Sequence, residues 1–190
     1  MVSFISLQYI MELSTTHISG LLIIKPSVFG DERGHFFESY RQDTLLVAGV
    51  ELDFVQDNQS LSGKGILRGL HFQKNPYAQG KLVRVIKGAV LDIAVDIRRN
   101  SKTYGEHFSI ALNEEDKTML YVPPGFAHGF VTQDEDTIFA YKCTNYYHKE
   151  SEGAILWNSP SLGIDWGISE PIISPKDTEA EDFLSFESPF

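Results

Sequence analysis

His71 stands in the segment GILRGLHFQ, three residues after Arg68 and ten before Lys81. An imidazole changes protonation near neutrality, which suits a group that takes a proton from a weak acid at ordinary pH. Cations flanking it in sequence suit an anion or an enolate, because they stabilise negative charge that develops beside the base. The spacing predicts Arg68, His71 and Lys81 in one short hairpin. His128 ends the similar run Pro123-Pro-Gly-Phe-Ala-His128, so both histidines sit in a turn-strand context beside glycine. His17, His35, His107 and His148 lack that context and read as ordinary surface or core residues.

The elements that must hold these groups are short. Apolar or alternating runs of strand length recur at residues 21–25, 33–40, 53–58, 81–86, 89–97, 106–112, 119–122, 127–132 and 137–141. In LDIAVDI, Leu91, Ile93, Val95 and Ile97 point one way and Asp92, Ala94 and Asp96 the other, which predicts one core face and one partly polar face. Helical periodicity is confined to a short stretch near residues 42–48. The count of strands predicts an all-β barrel or sandwich with a few short helices. The last forty or so residues scatter Gly, Pro, Ser and acidic residues around Trp157 and Trp166, which predicts a C-terminal wrap with both tryptophans sealing an edge of the core.

Composition narrows the function classes. The chain has 190 residues, 42% hydrophobic and 22% charged, enough apolar material for one substantial core. A formal charge of −10 argues against a nucleic-acid coat, so any phosphate must be held by local cations. A single cysteine, Cys143, excludes a disulfide framework and fits a reducing cytoplasm. The opening MVSFISLQYIMEL has no basic segment, carries Glu12 and is too short to span a bilayer. Residues 1–10 are therefore read as a flexible N-terminal extension and 11–190 as one domain, with no membrane partner expected.

The two histidine segments together resemble the paired motifs of the cupins. That resemblance implies a jelly-roll barrel whose two histidine-bearing strands face one another across the mouth. In metal-binding cupins the first motif continues to a second histidine and a carboxylate. Here Gln73 fills the second ligand position and Lys81 stands where a carboxylate is expected, and a protonated amine repels a cation. No metal or other cofactor is expected, and His71 is read as an acid–base group.

The segments DERGHFFES, FVQDNQS, GILRGLHFQ, AQGKLVRVIKGAVLDIAVDIRR, YVPPGFAHGF, YKCTNYY, LGIDW and ISPKD occur in this order and resemble the dTDP-4-dehydrorhamnose 3,5-epimerases from about Leu21 to Asp177. The resemblance implies a metal-free cupin homodimer that epimerises a dTDP-4-keto-6-deoxyhexose at C3 and C5 through an enolate. It implies His71 as base, Asp177 as its carboxylate partner, Lys81 beside the C4 oxygen and Tyr141 as proton donor from the opposite face. By sequence, Asp92 or Asp96 competes for the place of Asp177. The matching substrate-binding positions are Arg33, Glu38, Gln56, Asn58, Arg68, Lys81, His128, Glu152 and Lys176, with Tyr146 stacked on the base and Tyr147 able to imitate it. An epimerase acting at C3 or C5 alone would use the same residues. A silent nucleotide-sugar-binding cupin would be expected to have lost His71 or Tyr141, and both are present.

Overall fold

A computed structural model describes residues 11–50 and 53–190. The expected extension, residues 1–10, lies outside the described residues. The chain runs through β1 (Met11–Thr15), β2 (Leu22–Pro26), β3 (Phe29–Asp31), β4 (Gly34–Phe36), α1 (Gln42–Val47), β5 (Gln56–Ser62), β6 (Ile66–Gln73) and β7 (Lys81–Lys87). It continues through β8 (Ala89–Asp96), β9 (His107–Asn113), β10 (Met119–Val122), β11 (Phe126–Thr132), β12 (Thr137–Cys143), β13 (Glu152–Ala154), β14 (Ile172–Ile173) and α2 (Pro175–Thr178). The first sheet has the order β1-β2-β10-β7-β12-β5 and the second β13-β6-β11-β8-β9, with β14 added parallel to β6. These two sheets form the jelly roll, and β3 pairs with β4 as a separate hairpin.

Period-two alternation decides which side chains meet between the sheets. Val83, Val85, Leu120 and Phe139 from the first sheet pack against Val90, Ala94, Phe126 and Phe130 from the second. Burying a side chain of the size of Phe139 stabilises the fold by about 1.5–3 kcal/mol, and Phe139 is fully buried. The outer face of the first sheet is covered by α1 through Leu45 and by Val50.

The strand β8 departs from the simple expectation of one buried and one partly polar face, because both of its faces are covered. Ile93, Val95 and Ile97 lie under the C-terminal wrap with Leu162 and Trp166, while Val90 and Ala94 point into the space between the sheets. Asp92 and Asp96, on that inner face, are fully buried. The wrap is as expected: Trp166 is buried, its indole N–H donates to the Trp157 carbonyl at 2.9 Å, and Trp157 packs on the same cluster.

Three further expectations are corrected. Within residues 33–40 only Gly34–Phe36 is strand, paired in a short hairpin whose Phe29 and Phe36 are exposed. The histidine strands do not face one another across the mouth: β6 and β11 are antiparallel neighbours in the second sheet, with His71 directly opposite His128. Lys81 does not share a hairpin with His71 either, because the residues after Gln73 cross over and β7 begins in the first sheet. A hairpin reading counts sequence spacing, whereas from β5 to β8 the chain alternates between the two sheets.

The close approach of β6 and β11 explains the glycine of LRGLH. A Cβ on Gly69 would come within 2.5 Å of the Gly129 Cα, and one on Gly129 within 2.8 Å of the Arg68 carbonyl oxygen. The register shifts between His128 and Phe130 at this point, and the shift leaves the two histidines side by side.

Candidate active site

A cavity of about 510 Å³ opens between the sheets. The second sheet contributes Arg68, His71 and His128 to its wall, and the first contributes Lys81, Phe139 and Tyr141. The segment from Ile172 to Asp177 closes one side. A second cavity of about 420 Å³ is lined by Gln56, Asn58, Gln73, Gln79, Tyr147 and Glu152 and shares His71, Lys81 and Tyr141 with the first. The three shared residues thus sit where the two spaces join, with the histidine on one sheet and the lysine and tyrosine on the other.

His71 Nε2 lies 2.7 Å from Asp177 Oδ1. Asp177 is buried, and its backbone N–H donates to the Ser174 Oγ at 3.2 Å, the N-cap of the short helix α2. Its other oxygen accepts the Gly69 N–H at 3.3 Å. Burial alone would raise its carboxyl group, but the hydrogen bond and charge of His71 and the bonds from Gly69 and Ser174 together hold it below the ordinary carboxylate value. A carboxylate only accepts, so the hydrogen between the pair belongs to His71 Nε2, and the lone pair is left on Nδ1.

The rival aspartates are committed elsewhere. Both oxygens of Asp92 lie 3.0 Å from His128 Nε2, inside the second sheet. Asp96 binds Arg98, Ser101 and Thr103, and although burial pushes its carboxyl up, these bonds bring it to about 2. Asp177 is the partner of His71, and it arrives from more than a hundred residues along the chain.

Tyr141 packs at a 6.1 Å centroid distance from Phe139, and Lys81 Nζ lies 5.9 Å from the Tyr141 ring centroid. Burial raises the Tyr141 phenol above its usual value despite the opposing influence of Arg68 and Asn58, so it stays protonated at neutral pH. Burial lowers the Lys81 ammonium, against the charges of Cys143, Asp92 and Glu152. Glu152 forms an ion pair with Lys176 and accepts the Tyr147 O–H at 3.0 Å. Arg68 is exposed, with Nη2 donating to Ser62 Oγ at 3.2 Å.

Most of the residues expected from sequence therefore line one continuous space: Gln56, Asn58, Arg68, His71, Lys81, His128, Tyr141, Glu152, Lys176 and Asp177. Three do not. Arg33 is on the β3–β4 hairpin, ion-paired with Asp31, and Glu38 pairs with Arg41 at 3.6 Å. Of the two adjacent tyrosines, Tyr147 lines the cavity wall and Tyr146 does not. Gln73 and Gln79 also line it, although in sequence Gln73 registered only as an absent metal ligand. Among the described residues no group of three or more His, Cys, Asp or Glu side chains is arranged to hold a metal ion.

The model of the dTDP-4-dehydrorhamnose 3,5-epimerase family matches residues 15–185. The dTDP-4-dehydrorhamnose 3,5-epimerase of Salmonella typhimurium is 54% identical over 167 residues, covering 87% of this chain and 91% of the relative. Its counterpart from Elizabethkingia anophelis superposes with a TM-score of 0.89 at 47% identity, covering 93% of this chain and 98% of that one. A dTDP-6-deoxy-D-glucose-3,5-epimerase from Legionella pneumophila, solved in complex with dTDP-4-keto-L-rhamnose, also gives 0.89, at 46% identity over 93% of this chain and 95% of that one. With the matched region running from the first strand to the C-terminal wrap, and with His71, Lys81, Tyr141 and Asp177 gathered at one cavity, this chain belongs to the dTDP-4-dehydrorhamnose 3,5-epimerase family.

Proposed function

We propose that His71, Asp177, Lys81 and Tyr141 carry out the family's reaction, epimerisation at C3 and C5 of dTDP-4-dehydro-6-deoxy-D-glucose to dTDP-4-dehydro-L-rhamnose. The observation that carries this is the placement of base and acid on opposite sheets around one cavity. C3 and C5 both flank the C4 ketone, so removing either hydrogen leaves an enolate with its charge on the C4 oxygen. His71 Nδ1 takes the proton, and Asp177 stabilises the imidazolium that forms. Lys81 stabilises the enolate oxygen, and the Tyr141 phenol returns a proton to the other face of the carbon, which inverts it. Arg68, Lys176 and His128 supply donors for the diphosphate and sugar oxygens, Gln56, Asn58 and Glu152 line the nucleotide end, and Tyr147 offers the ring on which the base stacks.

Turnover in heavy water tests the double inversion. Each inverted carbon receives its hydrogen from a solvent-exchanged group, so the product is expected to carry deuterium at both C3 and C5. Label at one carbon only would identify a single-site epimerase instead.

The exposed β3–β4 hairpin supports a homodimer in which the hairpin of a second copy brings Arg33 and Glu38 to the cavity. Phe29 is 58% and Phe36 68% exposed, an apolar pair that a partner would cover. Sedimentation equilibrium is expected to give twice the chain mass of 21.4 kDa. A monomer at micromolar concentration would overturn the dimer. The lone, buried Cys143 supports a location in a reducing cytoplasm.

A further inference from the structure

Gln73 is polar, almost fully buried and two residues beyond His71 on β6, so both side chains leave the same face of one strand. Its carboxamide is nearly saturated. Nε2 donates to the Tyr77 carbonyl at 2.7 Å and to the Tyr146 carbonyl at 3.2 Å, while Oε1 accepts the His148 backbone N–H at 2.7 Å. With both hydrogens and one acceptor site already engaged by backbone, the group has little left to offer a ligand directly. What it does hold is two loops. One joins β6 to β7 and contains Tyr77, and the other follows β12 and contains Tyr146 and Tyr147.

Other contacts tie the same two loops together. Gln79 Nε2 donates to the Asn145 carbonyl at 2.8 Å, and Asn145 Nδ2 donates to the Pro76 carbonyl at 3.1 Å. The Tyr77 and His148 rings stack at 3.8 Å with an interplanar angle of 2°. Gln56 Oε1 accepts the Tyr147 N–H at 2.9 Å. Within this group Gln73 is the member that ties both loops to the strand carrying the base.

We propose that Gln73 is a positioning residue for the nucleotide base, fixing the Tyr147 loop at a set distance from His71. The inference rests on Tyr147 being the ring on which the base stacks. With the Tyr147 loop already ordered on the His71 strand, the nucleotide base meets a preformed ring and binding loses less conformational entropy, an effect on affinity that is the same for substrate and transition state. Gln73, at the position where metal-binding cupins carry a ligand, thereby serves nucleotide recognition in place of metal binding.

The test compares binding of dTDP and of inorganic diphosphate by calorimetry, together with steady-state kinetics. Gln73→Leu is expected to weaken dTDP by about tenfold, the cost of reordering a freed aromatic loop, and diphosphate by less than about twofold. KM for the sugar nucleotide should rise with the dTDP dissociation constant while kcat stays within about threefold. Gln73→Asn keeps a buried amide but draws it back by one methylene, and should show the same selective loss at smaller size if the leucine variant does not fold. Equal weakening of both ligands, or a fall in kcat at constant KM, overturns the positioning role. Tyr147→Ala separates the two ideas. If it weakens dTDP and neither Gln73 variant does, the Gln73 inference fails alone; if it leaves dTDP binding intact, base stacking on Tyr147 fails and the inference falls with it.

Discussion

His71→Ala is expected to lower turnover by about 10³–10⁴-fold, the upper part of the range for loss of a general base, while leaving dTDP affinity nearly unchanged. The side chain is part-exposed to the cavity and its hydrogen-bonding partner is Asp177, so its removal takes away a proton acceptor without opening the core. The same geometry makes Asp177→Asn a distinct experiment. An asparagine can present its Nδ2 hydrogens to His71 Nε2, which forces the ring hydrogen onto Nδ1 and removes the lone pair from the cavity side. A fall of about a hundredfold or more is expected from the wrong tautomer alone. Rates followed by proton NMR of the sugar decide the matter, and near-native turnover by His71→Ala would end the assignment of the base.

Much of this site was legible in sequence because its chemistry is local to short motifs. His71, Lys81 and Tyr141 each sit in a recognisable segment, and all three reach the junction of the cavities. The resemblance pointed to Asp177 as the partner of His71, but residue type alone left that partnership open. Asp92, Asp96 and Asp177 are equal as carboxylates, and only the fold sends Asp92 to His128, Asp96 to Arg98 and Asp177 to His71. Sheet membership was hidden too, since the crossing between Gln73 and Lys81 looks like a hairpin in one dimension. In β8 the period-two pattern was right, but its polar face proved to be the inner one, where Asp92 supports a cavity histidine. The positions of Arg33 and Glu38 illustrate a different limit: the exposed Phe29 and Phe36 of the β3–β4 hairpin and the distance of Arg33 and Glu38 from the cavity leave their part in the site to the proposed dimer. In sequence Gln73 shows only the metal ligand it is not, because hydrogen bonds to backbone carbonyls leave no signature in residue type.

Tyr141→Phe separates the two halves of the reaction. The variant keeps the ring that packs near Phe139 and under Lys81 and loses only the hydroxyl, so fold and enolate stabilisation should survive. Since burial raises the phenol above its ordinary value of 10.0, the native group remains protonated across the neutral range, as the proposed acid must be. Without it, His71 still removes the proton, but the carbon has no donor on its other face. Epimer formation is expected to fall by about 10²–10³-fold, whereas exchange of the C3 and C5 hydrogens of recovered substrate with heavy water should fall far less. The enolate is then quenched from the face it was formed on, by an imidazolium that has exchanged its proton with solvent. Mass spectrometry of substrate and product from one incubation gives both rates. If exchange and epimerisation decline together, Tyr141 takes part in forming the enolate, and the division of labour between the two sheets is wrong.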